Sequence, residues 1–78
     1  LTLMNNEFVL NQATLFADRL EREAPGDRNR QIDLAYQFAL TRRPTKEEAA
    51  IAKALVTEQS LADLTHVILN LNEFLYLR

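Results

Sequence analysis

The chain has 78 residues, of which 47% are apolar, with one glycine, two prolines and no cysteine. This composition is typical of one small helical domain, and the lack of cysteine excludes disulfides, thiolate metal sites, thiol catalysis and haem attachment through a Cys-x-x-Cys-His motif. The formal net charge of -2 gives no electrostatic reason to expect nucleic acid, and no apolar run reaches the roughly 18 residues of a membrane span.

The first predicted helix begins near Asn5 or Asn6 and ends at Pro25-Gly26. Charged residues after position 17 occupy the expected solvent side. The apolar residues recur at steps of four, three and four, which indicates one buried stripe. The stripe consists of Val9, Ala13, Phe16 and Leu20.

The second predicted helix follows Asp27 as its N-cap and reaches about Leu40. Pro44 then prevents the helix from continuing, and Arg42 and Arg43 lie where cations favour a helix C-terminus. The expected inner face of the helix consists of Ile32, Ala35, Tyr36 and Ala39.

The third predicted helix runs from Lys46 to about Glu58 and starts at a capping box. In this motif the Thr45 hydroxyl accepts from the Glu48 amide, and the Glu48 carboxylate accepts from the Thr45 amide. Ser60 and Asp63 repeat the pattern in weaker form before the fourth helix.

The fourth predicted helix is the most apolar, which is typical of a helix buried on several sides. Its main stripe is Leu61, Leu64, Ile68, Leu71 and Leu75, and the stripe is widened by Val67, Leu69, Phe74, Tyr76 and Leu77. We therefore expect a single all-α domain over residues 1–78, a small bundle of about four helices with the C-terminal helix at its centre.

The tripeptide Asn-Glu-Phe occurs at both ends of the chain, as residues 6–8 and 72–74. An up-and-down bundle brings its two ends into one region. We therefore predict an interaction surface there, which would dock onto another domain or pair two copies of the chain; the alternative is that both phenylalanines close the core. The predicted surface consists of Phe8, Phe74, Leu75, Tyr76 and Leu77.

Three blocks of sequence resemble the carboxy-terminal segment of domain of unknown function 1553. The blocks are residues 1–9 (LTLMNNEFV), 35–48 (AYQFALTRRPTKEE) and 62–76 (ADLTHVILNLNEFLY). The family is expanded in planctomycete bacteria, and no activity is established for it. The resemblance implies that this chain is the C-terminal part of a larger multidomain protein that is exported or associated with the cell envelope. Some members carry a cytochrome c-like domain elsewhere, and the upstream domains of the same chain would be its partners.

Asp63 lies one helical turn before His66, the only histidine. This spacing resembles half of a carboxylate-bridged metal site, which needs two such motifs and two further carboxylates on facing helices. We therefore expect a structural histidine and no metal, haem or other cofactor. The alternative is a polar site that combines Asp63 and His66 with Arg42 and Arg43.

Four arginines flank the second helix and could gather at one end of the bundle as a site for an anion or an acidic partner. They are Arg28, Arg30, Arg42 and Arg43. We favour instead a solvated rim in which these arginines pair with neighbouring carboxylates. The pairing carboxylates would be Asp27, Asp33, Glu47 and Glu48.

No nucleophile motif or glycine-rich phosphate loop is present in the sequence, and its paired carboxylates lie at helix starts. The sequence thus favours a noncatalytic helical module that docks onto the rest of its parent protein. The alternative is a tail that completes an active site or cofactor pocket of an exported enzyme, with a redox or polysaccharide-related activity.

Overall fold

A computed structural model describes the backbone of residues 6–77 and the side chains of residues 7–71. Four helices follow one another without an intervening strand in this part of the chain. They are α1 (Asn6–Glu23), α2 (Arg28–Leu40), α3 (Lys46–Glu58) and α4 (Leu61–Leu77). The all-α bundle predicted from the sequence is confirmed, and the predicted bounds of α2 and α3 agree with the structure.

Helix α1 buries the predicted stripe. Val9, Ala13 and Leu20 are almost fully buried and Phe16 is partly buried, with Ala17 added to the same face. A tight turn at Pro25-Gly26 follows, in which Gly26 has a φ of 69°. Because glycine adopts this left-handed conformation at little cost, the chain reverses within a few residues and leads directly into α2.

Helix α2 is capped by Asp27 at its N-terminus and by Thr41 at its C-terminus. The Asp27 carboxylate accepts from the backbone N–H of Arg30 at 3.1 Å, as predicted for an N-cap. The helix ends at Thr41, which has a φ of 58° and donates its backbone N–H to Gln37 at 3.0 Å. A left-handed threonine therefore ends α2 three residues before Pro44.

The capping box of α3 is present as predicted. The Glu48 N–H donates to the Thr45 hydroxyl at 3.1 Å, and the Thr45 N–H donates to the Glu48 carboxylate at 2.9 Å. At the start of α4, the Asp63 N–H donates to the Ser60 hydroxyl oxygen at 3.1 Å. Polar side chains thus satisfy backbone donors at the start of both helices.

Helix α4 contacts all three other helices, which confirms its central position. Leu61, Leu64 and Ile68 are buried. The prediction that Leu71 continues this buried stripe is wrong, because the Leu71 side chain is 47% exposed, and Val67 is exposed to a similar extent. The three neighbouring helices therefore cover only one arc of α4, and its wide apolar face is left partly in solvent.

The most extensive helix pairing is the seam between α1 and α4. Ala13 and Ala17 of α1 are buried, and the buried Thr65 hydroxyl donates to the Ala13 carbonyl oxygen at 2.7 Å across the seam. The same hydroxyl lies 2.9 Å from the Ala62 carbonyl oxygen within α4. The one hydroxyl proton is thus shared by two carbonyl oxygens, and the buried polar group is satisfied by both helices.

Within the described residues, no helix is both long and apolar enough to cross a membrane.

Candidate interaction surface

Helices α1, α2 and α4 border an open groove of about 360 Å³, called here the α1–α2–α4 groove. Its lining combines apolar residues with one amide and one cation. The lining residues are Gln12, Leu15, Phe16, Arg19, Phe38, Ala39 and Leu69. Leu15 is 59% exposed and Phe38 is 40% exposed, so two large apolar side chains meet solvent at the same depression.

Helix α1 forms this groove because it carries a second stripe beside its buried one. Phe8, Gln12, Leu15 and Arg19 follow one another at steps of four, three and four, which places them on one face of a helix. All four are exposed. Helix α1 therefore presents apolar side chains on two adjacent faces, one of which is buried while the other is exposed at Leu15 and Arg19.

The cation of the groove lies over an aromatic ring. The guanidinium carbon of Arg19 is 4.2 Å from the centre of the Phe38 ring, within the range of a cation–π contact between α1 and α2. Arg19 Nε is also 3.9 Å from Glu23 Oε2, at the outer limit of an ion pair. The Arg19 side chain remains 53% exposed. Stacking thus holds a solvent-accessible positive charge at the edge of an apolar depression.

A second polar cluster joins the end of α1 to the start of α2. Gln31 is fully buried, and its amide nitrogen donates to Glu21 at 2.7 Å and to the Ala24 carbonyl oxygen at 2.8 Å. Its amide oxygen accepts from Arg28 at 2.7 Å, and Arg28 also lies 3.4 Å from Glu21. Each group in the cluster bonds to another, so we interpret the cluster as structural, because its bonds hold the turn between α1 and α2.

A third polar cluster lies at the start of α3. Arg42 binds the Glu48 carboxylate through two nitrogens, at 2.7 and 2.9 Å. This bidentate contact, together with the Thr45 N–H, lowers the pKa of Glu48 to about 2. Arg42 also lies 5.6 Å from the Tyr36 ring, and burial, with the nearby Glu48 charge, raises the pKa of that tyrosine.

The predicted polar site is distributed over two regions of the fold. Asp63 and His66 lie in the first two turns of α4, whereas Arg42 and Arg43 lie in the connection between α2 and α3. Arg42 is bonded to Glu48, and neither the α1–α2–α4 groove nor a smaller groove beside Glu21, of about 200 Å³, is lined by any of the four. Among the described residues, no three His, Cys, Asp or Glu side chains form a group that could hold a metal ion. The polar site stays a prediction.

The arginines do not gather at one end of the bundle. Arg28 and Arg30 lie in the first turn of α2, and Arg42 and Arg43 lie beyond its C-terminus. A helix of 13 residues separates the two pairs by about 20 Å. The predicted pairing of Arg42 with Glu48 is confirmed, whereas Arg28 contacts Glu21 and Gln31 in place of the predicted carboxylates.

The predicted interaction surface at the chain ends is described only in part. Phe8 is 49% exposed and continues the α1 stripe that borders the groove. The side chains of Phe74, Leu75, Tyr76 and Leu77 lie outside the described residues, and the terminal surface therefore stays a prediction.

Sequence reasoning missed the groove because it assigned Arg19 to the solvent side and gave no place to Leu15 or Phe38. The signal was present as the second stripe on α1, which has the same four-three-four spacing as the buried one. Spacing alone cannot show which of two adjacent stripes a neighbouring helix will cover.

Comparison with protein families gives one match, over residues 1–56, to the PSD1 family, described as "Protein of unknown function (DUF1553)". The matched region contains α1, α2 and most of α3, including every groove residue except Leu69. No curated protein and no solved structure matches the chain at a significant level. Because the match covers more than half of its length, the chain belongs to the family of unknown function DUF1553.

Proposed function

We propose that the chain is a noncatalytic helical interaction module that docks onto other domains of the same polypeptide through the α1–α2–α4 groove. The observation that carries the proposal is the joint exposure of Leu15 and Phe38 at one depression. Full burial of a leucine or phenylalanine side chain contributes about 1.5–3 kcal/mol. Covering the exposed part of both side chains would therefore stabilise a complex.

The chemistry of the polar groups also supports a binding role. An acid–base site needs titratable groups in one cleft whose environments separate their pKa values. Among the described residues that line the groove, Gln12 and Arg19 are the polar ones. The other two polar clusters, around Gln31 and around Glu48, consist of groups that bond to one another and hold turns or helix starts.

The proposal implies further domains before Leu1 in the same polypeptide, called here the upstream polypeptide, and it is tested with these domains produced as a separate protein. Isothermal titration of the 78-residue chain into this polypeptide is expected to show saturable binding with a negative heat-capacity change, the mark of apolar burial. The control is Ile51→Asp, since Ile51 is 70% exposed on α3, away from the groove. That variant should bind as the wild type does, and an upstream polypeptide that does not bind the wild-type chain overturns the proposal.

The alternative, a tail that completes an active site of its parent protein, is tested with the same two polypeptides. The double variant Asp63→Asn, His66→Ala changes the Asp63–His66 pair predicted from the sequence and none of the described residues that line the groove. If the chain is an interaction module, this variant binds the upstream polypeptide as tightly as wild type does, and any activity of the reassembled protein is unchanged. Activity lost while affinity is retained would establish the site-completing role instead.

A further inference from the structure

We infer that the α1–α2–α4 groove takes an amphipathic helix that carries a carboxylate beside its apolar face. The inference rests on the proposed docking function and adds to it the chemical class of the docked element. Arg19 is the one charged residue among those that line the groove in the described part of the chain. A partner that covers Leu15 and Phe38 must lie against this cation.

Charge decides what the partner carries next to its apolar side chains. Arg19 stacks on Phe38 at 4.2 Å and meets Glu23 only at 3.9 Å, so its guanidinium is positioned but retains donors for another acceptor. A carboxylate that reaches it from the partner would form a charge-assisted hydrogen bond while the ring below stays in contact. A lysine or arginine at this place would be repelled.

The dimensions of the groove fit a helical element. From Gln12 to Arg19 the lining residues of α1 are seven steps apart along the helix, which is about 10 Å or two helical turns. Helices that bind in grooves use anchors spaced three, four and seven residues apart, which cover this length. Gln12 at one end and Arg19 at the other provide polar contacts at both limits of the apolar floor.

A second copy of the chain fits the groove less well. In a two-fold symmetric pair each residue near the axis faces its own copy. In such a pair the same set of groove residues lies on both sides, and those that line the groove in the described part of the chain include no carboxylate that could accept from Arg19. The same charge complementarity that favours an acidic helix disfavours self-association through this face.

The test is titration of the upstream polypeptide with Arg19→Glu and with Lys53→Glu as the matched control. Both variants change the net charge equally, and Lys53 lies on α3, which does not border the groove. Exposed ion pairs contribute little to affinity. Arg19→Glu removes the pair with the partner's carboxylate and places two negative charges together, so binding should weaken by about five- to tenfold. Lys53→Glu should stay within about twofold of wild type, and raising the salt concentration should narrow the difference between the two variants.

Thermal melts show whether Arg19→Glu is folded, and Arg19→Gln replaces it if it is not, with an expected loss of about two- to fivefold. Equal affinities of the Arg19 and Lys53 variants overturn the acidic-helix inference while the docking function stands. Tighter binding of Arg19→Glu than of wild type shows a basic partner and also overturns it. If the wild-type chain does not bind the upstream polypeptide, the proposed function fails, and this inference fails with it.

Discussion

Two neighbouring faces of α1 have the same spacing of apolar residues and different surroundings. The face of Val9, Ala13 and Leu20 is buried, and its backbone accepts a hydrogen bond from Thr65 of α4. The adjacent face, with Leu15 and Arg19, borders an open groove. Under the proposed docking function, α1 uses one face for the stability of the bundle and the other for a partner.

The largest expected effect distinguishes the buried and exposed parts of α4. Ile68→Ala removes a fully buried side chain and should lower the free energy of unfolding by about 2–5 kcal/mol. Leu71→Ala, three residues later, should cost less than about 1 kcal/mol because half of that side chain is already in solvent. Urea unfolding of both variants measures the difference, and equal losses would show that Leu71 belongs to the core.

A smaller effect tests the polar contact of the α1–α4 seam. Thr65→Val keeps the shape of the side chain and removes the hydroxyl that donates to the Ala13 carbonyl oxygen. The expected loss of stability is about 1 kcal/mol, the usual net value of one hydrogen bond. Thr65→Ser is the control, since it keeps the donor and removes a methyl group. If the valine variant is as stable as wild type, the hydroxyl does not hold the seam.

The ion pair of Arg42 with Glu48, which lies outside both faces of α1, should make the stability of the fold depend on pH. The folded pKa of Glu48 is about 2, below its ordinary value of 4.5, because Arg42 and the Thr45 N–H bind the carboxylate. The ionised Glu48 carboxylate therefore adds to the free energy of unfolding above pH 4.5, and this contribution is lost as the pH falls through about 2. Since the pair is exposed, the contribution is small.

The variant Glu48→Gln tests this contact. Glutamine still accepts from the Thr45 N–H and keeps the capping box, but it lacks the charge that faces Arg42. Thermal melts should show the variant slightly less stable than wild type at pH 7, with the difference disappearing toward pH 2. A difference that is the same at both pH values would show that the charge is not the cause.

Local signals predicted most of the fold, whereas the groove depends on long-range packing. Asp27, Thr45 and Pro25-Gly26 act on their own backbone neighbours, and the helix bounds followed from them. The exposure of Leu71 and the pairing of Arg19 with Phe38 depend on which helices meet, and residues 19 residues apart in sequence carry no local sign of contact. The buried Gln31 was missed for the same reason, since it bonds to Glu21 on α1 and to the Ala24 carbonyl oxygen just after α1, seven or more residues away in sequence.

The smallest expected effect on stability belongs to the groove. Leu15→Ala truncates a side chain that is 59% exposed, so the free energy of unfolding should change by no more than about 0.5 kcal/mol. Val9→Ala on the adjacent buried face should cost more, since Val9 is only 3% exposed. Urea unfolding of the two variants compares the faces directly. Equal losses of stability would show that Leu15 is part of the core and that the two faces of α1 do not serve stability and docking separately.

The most direct test of this division is to measure stability and docking on one preparation of Leu15→Asp. The account predicts a melting temperature close to that of wild type and a loss of affinity for the upstream polypeptide of at least about tenfold, because a carboxylate would be desolvated against Phe38. An unchanged affinity, or a melting temperature that falls as it does in Ile68→Ala, would contradict the claim that the groove is reserved for a partner.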